Sequence, residues 1–148
     1  MREGTATGGV AAIAGMADAR YLVDGFAAKV ELSAGTADVL AHEFTRRVFP
    51  GVADPYRRFD AVAAPLPAAV PLLVVHDHAD REVAATEGLR LHAAHGERSR
   101  LVLTSGAGHS RILGVDVTLD AVTAFATGGL PALDQAGLGQ VGVGASVA

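Results

Sequence analysis

The stretch Val70–Asp80, VPLLVVHDHAD, decides how this chain is read. Val70–Val75 is an unbroken apolar run rich in β-branched residues. Such a run, with no polar alternation, suits a parallel strand covered on both faces. His76, Asp77, His78 and Asp80 follow at once, where the strand is expected to give way to a loop. In open α/β sheets, chemistry gathers in the loops at the carboxyl ends of the strands.

Downstream, Ala84–His95 has helical spacing and ends at Gly96, a suitable left-handed cap. Leu101–Thr104 reads as a second strand. Asp116 or Thr118 opens a last helix, with Leu119, Val122 and Phe125 on one face and Gly128 after its end. Strand, helix, strand, helix implies a parallel sheet. Upstream, Val10–Gly15 is a short apolar run that reads as a further buried strand. Ala19–Lys29 is helical, with Tyr21, Leu22, Phe26 and Val30 at near-helical spacing. Thr36–Val48 is a second helix, capped by Thr36, with Val39, Leu40, Phe44 and Val48 on one face. Arg46 and Arg47 suit its negative end, and Pro50-Gly51 stops it. Tyr56–Pro67 reads as a mixed linker. The expected fold class is α/β, a parallel sheet with flanking helices. Gly128–Ala148 holds six glycines and no aromatic residue, and reads as a flexible tail.

Bulk properties remove several functions. The net charge is −4 over 148 residues, with no basic stripe to neutralise phosphates, so nucleic acid is not an expected partner. The absence of cysteine excludes disulfides, thiolate metal sites and a cysteine nucleophile. The glycines of Gly4-x-x-x-Gly8-Gly9 follow no strand and precede no lysine, so no phosphate loop or other cofactor motif is found. The longest charge-free run, Ala61–Val75, contains Pro65, Pro67 and Pro71 and is too short to span a bilayer. The start of the chain is a poor signal peptide, and a soluble cytoplasmic protein is expected.

Two loops can carry chemistry. One follows Val75 and holds His76, His78 and Asp80. The other follows Thr104 and reads Ser105-Gly106-Ala107-Gly108-His109-Ser110. Parallel strands send both loops out of one sheet edge, so Asp80 and His109 can meet. A carboxylate that accepts from one imidazole nitrogen fixes the tautomer and frees the other nitrogen to act as a base.

With these residues in place, Val70–Phe125 resembles the last two strand–helix units of an α/β-hydrolase. In that family a strand ending in a His-Gly-x-x-Asp-type loop supplies the acid of a catalytic triad. Here the loop is His76-Asp77-His78-Ala79-Asp80, with Asp77 where glycine is usual. The resemblance implies Asp80 as the acid and His109, from the Gly108-His109 segment, as the histidine. It also implies a truncated hydrolase domain over residues 1–127. Residues 10–18 would be a strand and its exit loop, 19–67 a helical cap, 70–127 the last two βα units and 128–148 the tail. The implied activity is that of an esterase-like serine hydrolase on small carboxylic esters or related acyl compounds.

The family nucleophile is a serine in Gly-x-Ser-x-Gly upstream of both partners, and no such pentapeptide exists here. Ser33, in Glu31-Leu32-Ser33-Ala34-Gly35, has the right chain order if a strand precedes it, although Glu31 sits where the turn needs a small residue. Ser110 follows Gly108-His109 like half an elbow, but the second glycine position is Ile112, a β-branched residue that would crowd the turn. Ser99 and Ser105 read as loop residues. Two alternatives stand beside the hydrolase. One is an inactive remnant or interaction module of the same fold. The other is a metal-dependent hydrolase using His76, His78 and Asp80, ligand types that suit a divalent metal. Val10–Gly15, at the sheet margin, would leave an edge open to self-association.

Overall fold

The structure is a computed structural model and describes residues 8–138. The chain divides into two compact units, one of Met16–Pro65 and the other formed by the residues on either side of it.

The flanking unit contains a three-stranded parallel sheet, as the apolar runs lead one to expect. Its strands are β1 (Val10–Ile13), β2 (Leu72–Asp77) and β3 (Ser99–Thr104), in the order β1-β2-β3. β1 aligns Val10 with Leu72 and Ile13 with Val75, and β3 aligns Ser99 with Leu72 and Thr104 with Asp77. β2 is central, and all six of its residues are buried. Successive side chains alternate between its faces. Leu73 and Val75 join Val102, Ala107, Ile112, Ala121 and Leu133 in one apolar cluster. Leu72, Val74 and His76 share the other face, against α4 (Ala85–His95). There Gly88 lies so close to the His76 ring that a Cβ would fall 2.8 Å from Nδ1.

Both strands that flank the site differ from the apolar pattern: β2 has the expected length but starts and ends two residues later, and β3 is longer by two residues at its start. β2 continues through His76 and Asp77, which were expected in the loop, and both are fully buried. β3 starts at Ser99, a residue expected in a loop. The Ser99 hydroxyl lies within hydrogen-bonding distance of the carbonyls of His92 and Gly96 and of His92 Nδ1. α4 ends at Gly96 as expected, but with φ 55° and ψ −134° the glycine has a positive φ without the left-handed helical conformation anticipated for the cap. His95 is buried, with Nδ1 on the Leu91 carbonyl and Nε2 accepting from the Leu66 N–H.

A short helix, α5 (Gly108–Arg111), follows β3, and α6 (Asp116–Gln135) follows in turn. The flexible tail expected from Gly128 is corrected over its first part. Gly129, at φ 65° and ψ −155°, breaks the helix, which resumes at once and runs to Gln135. Pro131 is tolerated because it falls in the first turn after the break, where a missing N–H costs nothing. Leu133 is wholly buried, and Asp134 binds Arg100 of β3 through two contacts of 2.6 and 2.8 Å. Residues 139–148 lie outside the described residues.

The Met16–Pro65 unit is helical. α1 (Ala19–Lys29) is capped by Asp18, whose carboxylate accepts from the Tyr21 N–H at 2.8 Å. α2 (Ala34–Val48) begins two residues before the expected start, because Ser33 and not Thr36 caps it. α3 (Pro55–Arg58) overlaps the start of the stretch expected to be a linker, and the Tyr56 hydroxyl donates to the Ala41 carbonyl at 2.8 Å. The buried positions of α1 and α2 are Val23, Ala27 and Ala41, while Leu22, Phe26, Val30, Val39 and Val48 are exposed.

Burial of Leu133 gives a direct check on the second half of α6. Truncating a fully buried leucine costs about 2–5 kcal/mol through lost transfer energy and the cavity left behind. Leu133→Ala is expected to lower stability by that amount in urea unfolding. A change within about 0.5 kcal/mol would place this residue outside the core.

Candidate active site

β2 and β3 run parallel and in register to their last residues, so their exit loops leave the same edge side by side. The His78 N–H donates to the Thr104 carbonyl at 2.9 Å and carries the pairing one step beyond the strands. The chain then turns, with the Asp80 N–H on the Asp77 carbonyl at 3.1 Å. That turn directs the Asp80 side chain inward, where it is wholly buried.

Asp80 and His109 meet. His109 Nδ1 lies 2.9 Å from Asp80 Oδ2. The other oxygen, Oδ1, accepts from the N–H groups of Glu82 and Val83, both at 2.9 Å. Burial pushes the Asp80 carboxyl up, but the Val83 N–H, the His109 ring and the Glu82 N–H outweigh it and hold the group below the ordinary aspartate value. Asp80 is therefore ionised at neutral pH, and an ionised carboxylate only accepts. His109 Nδ1 must be the donor, which leaves the Nε2 lone pair unprotonated in the neutral ring. Nε2 has no hydrogen-bond partner among the described residues, and the His109 side chain is 38% exposed. One ring edge is thus anchored in the protein, and the side chain as a whole remains partly exposed.

Backbone freedom makes this presentation possible. Gly106 and Gly108 have φ values of 85° and 65°, in the region that favours glycine. Between them Ala107 keeps an ordinary right-handed conformation. The chain turns within three residues and enters α5 with His109 on its first turn.

Sequence reasoning missed Asp77 as part of the site. It is fully buried, and both of its oxygens are engaged. Burial pushes its carboxyl up, but the Thr104 hydroxyl and the N–H groups of Ala79, Gly108 and Ala107 more than compensate, and the group titrates below the ordinary value. The available signal was an acid at the end of an apolar strand, where β2 simply continues.

The remaining candidates fall elsewhere. His76 is buried, with Nε2 2.9 Å from the Val83 carbonyl and 3.5 Å from Asp80 Oδ2. His78 is exposed. His76 and Asp80 approach each other in the interior while His78 is exposed and does not join them, so the metal set His76, His78 and Asp80 is corrected. Among the described residues no group of three or more histidine, aspartate or glutamate side chains is placed to hold a metal ion. Ser33 belongs to the Met16–Pro65 unit and caps α2, its Oγ accepting from the Thr36 N–H at 3.3 Å. What precedes it is the end of α1 and not the strand expected there. Its φ of −63° and ψ of 155° are ordinary extended values, whereas a nucleophile elbow is strained at the serine. Ser105 and Ser110 are exposed.

Comparison with protein families, with curated proteins and with solved structures finds no match. The site is therefore read from its own geometry. Among the described residues no single helix is long and apolar enough to cross a membrane.

Asp77 and Asp80 both have folded values below their unfolded ones. Between those values the unfolded chain binds more protons, so stability rises with pH there. Their contribution is complete above about pH 4 and is lost as the pH falls through the depressed folded values. Urea midpoints of the wild type are expected to drop through that acid window, and the gap to Asp80→Asn to close. A gap that stays constant from neutral to strongly acid pH would contradict an ionised Asp80.

Proposed function

We propose that this chain carries the acid and the base of an α/β-hydrolase, an esterase-like serine hydrolase acting on small carboxylic esters or related acyl compounds in the cytoplasm. The observation that carries the reading is the 2.9 Å contact of His109 Nδ1 with buried Asp80, in a part-exposed His109 ring whose Nε2 has no hydrogen-bond partner among the described residues. In that role Nε2 takes a proton from the attacking hydroxyl and later returns it to the leaving alkoxide. Asp80 holds the tautomer and stabilises the imidazolium formed between the two steps.

No Gly-x-Ser-x-Gly is present, and Ser33 has the geometry of a helix cap. We therefore assign the acid and base to this chain without a serine nucleophile of the family type. A positioned base can still activate water, the weaker nucleophile. A second reading, an inactive remnant or interaction module, is favoured by β1. That strand pairs only with β2, and its outer edge has no strand partner among the described residues.

Hydrolysis of an activated aryl ester separates the two. General acid–base catalysis contributes about 100- to 10,000-fold. The rate above buffer is expected to fall by a factor in that range in His109→Ala and to drop strongly in Asp80→Asn. Ser33→Ala then decides the nucleophile, with labelling by a serine-directed phosphonate as the parallel readout. A wild-type rate equal to that of His109→Ala would remove the enzyme reading and leave the interaction module.

A further inference from the structure

We propose that Asp77 is a positioning residue, a buried clamp that locks the His109 loop to the Asp80 turn and so sets the geometry in which the two groups meet. This rests on the reading of Asp80 and His109 as an acid–base pair. The Asp77 carboxylate bonds to neither the Asp80 nor the His109 side chain; it acts through the two loops that carry them, alongside the backbone bond from the Asp80 N–H to the Asp77 carbonyl.

The argument starts from the register. Asp77 is the last residue of β2 and stands opposite Thr104, the last residue of β3. Each exit loop therefore begins beside this carboxylate. Oδ1 accepts from the N–H of Ala79 at 2.8 Å, the residue just before Asp80. Oδ2 accepts from the Thr104 hydroxyl at 2.6 Å and from the N–H of Ala107 at 3.0 Å, two residues before His109. One side chain thus holds the loop of the acid with one oxygen and the loop of the base with the other.

The chemistry of the group matters as much as its place. An ionised carboxylate offers about four lone-pair sites and no proton, so it can satisfy several converging donors at once. The alternation of Gly106, Ala107 and Gly108 between left- and right-handed conformations turns successive N–H groups inward, the arrangement that cradles an anion. Here the anion is the protein's own. An asparagine of the same shape would present an amide N–H₂ to donors on one side and let go of one loop. Burial sharpens the effect, because no solvent can replace a lost acceptor.

A merely stabilising aspartate and a positioning one differ in what they do to His109. The test uses the whole chain and reads the tautomer of His109 from its ring ¹⁵N shifts at alkaline pH, together with the Nδ1–H proton signal. In the wild type, His109 is expected as a single Nδ1–H tautomer with a slowly exchanging proton, and Asp80→Asn should abolish both features. In Asp77→Asn the chain is expected to keep its fold by circular dichroism, while His109 shows mixed tautomers and loses the proton signal. If that variant does not fold, Thr104→Val removes one donor to the clamp with little change of shape. It should weaken the signal in the same way, and Thr104→Ser should restore it. A wild type without the Nδ1–H tautomer would sink the acid–base reading itself. A wild type with it, and an unchanged signal in folded Asp77→Asn or Thr104→Val, would overturn the clamp alone.

Discussion

Parallel pairing of β2 with β3 is the constraint on which the site depends. Two strands that run the same way deliver their exit loops to the same edge, so residues 29 positions apart in the chain become neighbours. The register is as important as the direction. Side chains alternate along β2, and a slip of one residue would send Asp77 to the α4 face and His76 to the face of the apolar cluster. Two features oppose that slip. Leu73 and Val75 fill the cluster with Val102 and Leu133. On the other face the His76 ring occupies a space that exists only because residue 88 has no side chain.

The second physical theme is the handling of buried charge. Removing a carboxylate from water is costly unless hydrogen bonds replace its hydration. Asp77 and Asp80 both meet that requirement with backbone N–H groups, those of Ala79 and Ala107 from the two exit loops for Asp77 and those of Glu82 and Val83 for Asp80, supplemented by one side chain each, Thr104 and His109. The same bonds do structural and chemical work. They order the turn after β2 and keep Asp80 ionised, and an ionised Asp80 fixes which nitrogen of His109 carries the proton. His76 is less well served, since its buried Nδ1, against Gly88, has no hydrogen-bond partner among the described residues.

Much of this was legible in the sequence, for identifiable reasons. Val70–Val75 has the composition of a strand buried on two sides, and β2 takes its last four residues before running on through His76 and Asp77. That Asp80 and His109 can meet follows from chain order and strand direction, and the resemblance to the hydrolase loops implied that these two are the residues that pair. What was hidden breaks the rule that polar residues mark loops. His76, Asp77 and Ser99 sit inside strands because specific partners compensate their burial, and such partners are tertiary facts. Gly128-Gly129-Leu130-Pro131 looked like the start of a tail because glycine and proline usually end helices. There the glycine supplies only a local break, and Leu133 pulls the following turn into the core. The cap of α2 was misplaced for a subtler reason, since Ser33 and Thr36 are both good capping residues and only the path out of α1 selects between them.

The claim that stands above the others is that Asp80 and His109 interact directly in the folded chain. A double-mutant cycle on unfolding free energy, built from Asp80→Asn, His109→Gln and the double variant at neutral pH, measures that contact. The geometry predicts non-additivity, with a coupling of about 0.5–3 kcal/mol. Additive effects within about 0.3 kcal/mol would mean that the two groups do not share a hydrogen bond and would contradict the account of the site.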